Sequence, residues 1–180
     1  YTADDPNGDV GELKSVTNNH GEYVEYLYDA NGNLKEDWAG MIKTQLQDLA
    51  TRGHEVQLHF HPQWLDYSFD GSQWVLNYNL WRIGKLRYED SEFPERGLKQ
   101  LFAKGKQTLE AIITPVKKDY RCHIFRAGAW SMQPEQDVLR AMQVNGFDID
   151  STVAAGLAFQ DDYTFYDFRN SPTTAIWKIE

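Results

Sequence analysis

Apolar and polar positions alternate strictly in one short stretch, Val56-Gln57-Leu58-His59-Phe60-His61. An extended chain there puts Val56, Leu58 and Phe60 on one side and Gln57, His59 and His61 on the other, and Pro62 ends the ladder. The run before it has a different period. Trp38, Met41, Ile42, Leu46 and Leu49 fall at helical spacing, Asp37 is a capping residue, and Gly53 sits where a left-handed stop is expected. The same change of period recurs downstream. Leu98, Leu101, Phe102, Leu109, Ile112 and Ile113 predict a helix within 95–114, weakened by Gly97 and Gly105 and closed by Pro115. A strand follows at 121–125. Val138, Leu139 and Met142 then predict a helix with Pro134 at its first position and Asn145-Gly146 as its stop, followed by a strand within 147–153. Helices alternating with strands that end in polar residues predict an α/β fold with its site along the strands' C-terminal ends.

The segment from Trp64 to Tyr88 breaks this rhythm. Trp64, Tyr67, Phe69, Trp74, Tyr78, Trp81 and Tyr88 are interleaved with polar residues around an Asp70-Gly71 turn signal. Such an insertion is either a wall for a ligand with flat apolar faces, a sugar ring for example, or a minor core beneath a loop. With 180 residues, 41% of them hydrophobic, the chain can bury one core, so a single domain over 1–180 is expected. A formal charge of −9 argues against nucleic acid or an anionic membrane surface as the main partner. No apolar run is long enough to span a bilayer, and Cys122, being alone, gives neither an intrachain disulfide nor a redox compartment. The chain opens on Tyr1 and stops just after Thr174-Ala175-Ile176-Trp177, as a piece truncated at both ends would.

Residues two apart on one strand face have Cα atoms roughly 6.5–7 Å apart, so the imidazoles of His59 and His61 can converge on one ion. The other reading is a pair of half-buried strand histidines bonded to backbone. His20, His54 and His123 read as structural. Arg126, following the strand at 121–125, falls on the same rim as His61, where burial demands a carboxylate or ligand anion, either a catalytic base or a structural acid such as Asp150 or Asp167.

Taken in order, the helix before Gly53-His54-Glu55-Val56, the histidines at the strand end, Phe125-Arg126-Ala127-Gly128-Ala129-Trp130 and Asp150-Ser151 resemble the motifs of polysaccharide deacetylases with a NodB-homology domain. More narrowly, His59-Phe60-His61-Pro62-Gln63-Trp64 together with Tyr166-Asp167-Phe168-Arg169 resembles the divergent WbmS-like branch of bacterial surface-polysaccharide clusters, over roughly residues 36–177. The resemblance implies a distorted (β/α) barrel, incomplete in this chain, that binds a divalent metal, Zn²⁺ above all, and removes N- or O-acetyl groups from a carbohydrate; the compartment stays open, with the cytoplasm favoured. It implies that His59 and His61 are metal ligands, with Gln63 standing where the family's second histidine falls. It also makes Arg126 the arginine that orients the base, although Ala127-Gly128 replaces the proline expected after it. Asp4 and Asp5, in Thr2-Ala3-Asp4-Asp5-Pro6, match a first motif lacking its glycine, which makes Asp4 the base and Asp5 a ligand; alternatively they are a solvated acidic terminus and the motif lies upstream. Trp64, Trp74, Trp81, Trp130 and Asp150 are the residues expected to touch substrate. Two other readings remain, a non-catalytic glycan-binding domain and a glycoside hydrolase, the second lacking a convincing carboxylate pair.

Overall fold

The computed structural model describes residues 15–17, 23–25, 37–70, 73–174 and 177–178, in two units divided after His54. In the first unit, β1 (Ser15–Thr17) and β2 (Tyr23–Glu25) form an antiparallel pair, and α1 spans Asp37–Thr51. α1 ends as its sequence predicts. Gly53 has φ 89°, the His54 N–H reaches the Leu49 carbonyl at 3.0 Å and the Gly53 N–H reaches Ala50 at 3.1 Å, a Schellman motif that satisfies the last carbonyls.

The second unit carries the strand with the two histidines. β3 (Leu58–Phe60) leads through a 3₁₀ turn at Pro62–Leu65 into the antiparallel hairpin of β4 (Tyr67–Phe69) and β5 (Trp74–Leu76). Across the hairpin's end the Asp70 carboxylate accepts from the Gln73 N–H at 2.9 Å. Next come α2 (Leu98–Ile113), β6 (Ile124–Ala127), α3 (Gln136–Val144), β7 (Ile149–Asp150) and a second hairpin, β8 (Ala158–Gln160) with β9 (Phe165–Asp167). β3, β6 and β7 lie side by side as parallel strands, each joined to the next through a helix. A closed barrel is not among the described elements. No described helix is long and apolar enough to cross a membrane.

The sheet's apolar face is the one that alternation predicts. Leu58 pairs in register with Phe125 and Phe60 with Ala127, and the buried Phe102 of α2 packs its ring 4.6 Å from Phe125, 5.2 Å from Phe147 and 5.7 Å from Phe60. Full burial of such a ring contributes roughly 2–3 kcal/mol. Leu98, Ile113, Val138 and Ala141 complete this core. The opposite face carries His59 and Arg126, paired in register and exposed.

Three boundaries differ from the sequence reading. The second parallel strand runs 124–127 rather than 121–125, because the Gln57 amide replaces the ladder: its Oε1 accepts from the His123 and Ile124 N–H groups at 2.9 and 3.0 Å, and its Nε2 donates to the Arg121 carbonyl. β7 is only two residues long because Asp150 turns its carboxylate back onto Thr152, making a side-chain turn where the ladder would continue. α3 starts at Gln136, two residues after Pro134, since Gln133 is tied into β9: its Oε1 accepts from the Asp167 N–H at 2.7 Å and its Nε2 donates to the Asp167 carbonyl at 3.2 Å.

Candidate functional site

The C-terminal end of β3 brings the two imidazoles together. The Nε2 atoms of His59 and His61 lie 3.2 Å apart, with ring centroids at 4.9 Å and planes perpendicular. His59 Nδ1 is 2.9 Å from the Arg126 carbonyl. A carbonyl only accepts, so Nδ1 carries the proton and Nε2 presents a lone pair toward His61. The tautomer of His61 depends on Gln63, which is buried and places Nε2 3.3 Å from His61 Nδ1 while its Oε1 has no partner. With the amide in this sense His61 Nδ1 accepts and its Nε2–H points at His59. With the amide turned over, Nδ1 donates and two lone pairs face one point. Two nitrogens bound to a tetrahedral ion at 2.0–2.1 Å stand about 3.3–3.4 Å apart. At 3.2 Å the pair falls about 0.1–0.2 Å short of that spacing, and with the Gln63 amide turned over each outer ring N–H donates to a protein oxygen, as in metal-ligating histidines.

Burial first, then the nearby His59 and Arg126, holds the His61 imidazole below its ordinary pKa, which favours the neutral ring that a metal needs. Arg126 is exposed, so the expectation that burial forces an acid upon it is not met. Neither suggested structural partner pairs with it. Asp167 forms an ion pair with Arg169 at 2.5 Å, and Asp150 bonds to Thr152. Among the described residues no carboxylate makes an ion pair with Arg126 and no group of three His, Cys, Asp or Glu side chains converges. Asp4 and Asp5 lie outside the described residues.

Asp150 is placed differently from Arg126. It pairs in register with Phe125, and strand alternation therefore sets it on the face opposite His59. There the Ala127 N–H donates to Thr152 Oγ1 at 2.9 Å and the Thr152 hydroxyl donates to Asp150 Oδ1 at 2.5 Å, a relay that ties the ends of β6 and β7. Burial raises the Asp150 pKa. Asp150 lines a cavity of about 200 Å³ with Gln133, Glu135, Phe168 and Trp177.

The aromatic segment divides into two groups. Trp64, Tyr67 and Trp74 are each more than half exposed and form a ladder with centroid spacings of 6.3 and 5.4 Å. Trp81 instead stands edge-on to His61 at 6.2 Å and stacks on Tyr78 at 5.6 Å, with its Nε1 buried. It is a wall behind the histidine. Trp130 is 45% exposed on a turn where both Ala129 and Trp130 have positive φ, 52° and 54°, and its ring lies 5.7 Å from Tyr166. Of the other histidines, His54 is exposed and His123 has the partner its sequence context hid, Asp148 Oδ1 at 2.6 Å. Sequence reasoning missed Gln63 as a support for His61. Its one signal is position, two residues past His61 in the turn that Pro62 begins. The chain matches no family model, no curated protein and no solved structure.

Proposed function

We propose that this chain is a metal-dependent hydrolase that removes acetyl groups from a carbohydrate, with β3, β6 and β7 as consecutive staves of a distorted (β/α) barrel. The observation that carries the reading is the 3.2 Å approach of the two Nε2 atoms at a strand's C-terminal end. His59 and His61 would hold the ion. A divalent ion such as Zn²⁺ supplies acidification of water and polarisation of a carbonyl. The chain's own groups supply the rest. The Arg126 carbonyl fixes the His59 ring through Nδ1–H, and Gln63 fixes the His61 ring. The Arg126 guanidinium, exposed beside His59, favours ionisation of a base on that face. The Trp64, Tyr67 and Trp74 ladder offers flat apolar faces to sugar rings.

The test combines thermal unfolding with acetate release from acetylated glycans. Zn²⁺ at about a hundred times its Kd should stabilise the protein by roughly 2.7 kcal/mol. His59→Ala, His61→Ala should abolish both that gain and acetate release. A zinc gain that survives in the double variant overturns the reading. The exposed ladder, which does not depend on the histidines, favours a second reading as a glycan-binding domain; glycan binding with no acetate release from any substrate would select it.

A further inference from the structure

Gly128 immediately follows β6 and is buried. A Cβ there would lie 2.6 Å from His61 Nδ1, 2.7 Å from Cγ and 2.9 Å from Cε1, inside van der Waals contact with three atoms of one ring. The ring has little room to yield. Its Nδ1 meets Gln63 at 3.3 Å, its Nε2 meets His59 at 3.2 Å, and Trp81 stands edge-on to it. The backbone below is held equally. The Gly128 carbonyl accepts from the Ser131 N–H at 3.1 Å, and the Ala127 N–H donates to Thr152 Oγ1 at 2.9 Å. Gly128 is not among the positive-φ glycines, Gly53, Gly146 and Gly156, so alanine would suffer no backbone penalty. What position 128 needs is space, and the group that needs it is His61.

We propose that Gly128 is the positioning residue for His61: the bare backbone after β6 is the seat on which the imidazole lies, and this seat brings Nε2 to within 3.2 Å of His59. The His61 ring lies on the turn after β6, and that turn carries glycine.

The seat itself does not depend on the proposed activity; only the metal measurement rests on that reading. Four proteins decide it: wild type, Gly128→Ala, His61→Ala and the double variant, each unfolded in urea without metal and each titrated with Zn²⁺. Gly128→Ala should lower the folding constant by about tenfold or more when His61 is present and by less than about threefold when residue 61 is alanine, because the new methyl then fills the vacated space. Zn²⁺ affinity of Gly128→Ala should fall by about tenfold or more. If Gly128→Ala does not fold, recovery of folding in the double variant supports the seat, and failure of both overturns it. An equal loss in both backgrounds means the turn rather than His61 demands glycine, and overturns the proposal; so does Zn²⁺ affinity in Gly128→Ala unchanged from a zinc-binding wild type. A wild type that binds no Zn²⁺ removes the metal reading and leaves the seat to the unfolding cycle.

Discussion

Asp150 reads in the sequence either as a substrate contact or as a cap on the next turn, and in the fold its Oδ1 accepts from the Thr152 N–H. Its place near a strand end is legible. Its face is not, because the register with Phe125 is set by tertiary pairing. Burial raises its pKa above 3.8, so between that value and the folded-state value the folded chain binds more protons than the unfolded one, and stability falls as pH rises through this window. Asn at 150 keeps an Oδ1 acceptor for the Thr152 hydroxyl and N–H and carries no charge to desolvate. Asp150→Asn should therefore gain on wild type as pH rises from below 3.8 to above the folded-state pKa, and level off beyond it. Urea midpoints across acid to neutral pH check this; a variant that loses ground as pH rises would mean the buried carboxylate is stabilised by a partner. The His59 and His61 pair was legible for the opposite reason, since a period of two needs no tertiary knowledge. Gln63 and Gly128 touch His61 through a turn and a neighbouring strand, and no local pattern announces either.

At the scale of elements, helices read better than strands. Of the α2 stripe Leu98, Leu101, Phe102 and Ile113 are buried and Leu109 and Ile112 half-buried, of the α3 stripe Val138 and Met142 are buried and Leu139 half-buried, and α3 stops at Asn145-Gly146 with the Phe147 N–H on Met142 and the Gly146 N–H on Gln143. Strands of two to four residues have boundaries set by single side chains, Gln57 for β6 and Asp150 for β7, which periodicity does not register. The β4–β5 hairpin raises a question of ligand against packing, and exposure separates the answers. Alanine at Trp64, Tyr67 or Trp74 should change stability by less than about 0.5 kcal/mol, since these rings are mostly in solvent. Each should weaken binding of a matching oligosaccharide by about fivefold, near 1 kcal/mol. Trp81→Ala should instead cost about 2 kcal/mol of stability, because it removes the wall beside His61. Calorimetric titration beside thermal melts checks both; unaltered affinity in all three exposed variants would make the ladder surface only.

Across the whole molecule, the α/β alternation was legible because change of period is a chain-long signal, whereas the joining of β3, β6 and β7 depends on helices crossing between them. The turn that follows the central strand of that sheet adds a thermal consequence. Ala129 and Trp130 both occupy the left-handed region, which L-residues other than glycine rarely adopt, so the fold holds its shape there against a local preference. Ala129→Gly removes one half of that opposition, and the variant should melt about 2 °C higher, a gain of roughly 0.5–1 kcal/mol. Glycine also widens the conformations open to the turn that carries the Trp130 indole, so the anisotropy of that indole should fall while the melting temperature rises. Heat resistance and a steady indole would then be competing properties of a single turn, and selection for one would erode the other.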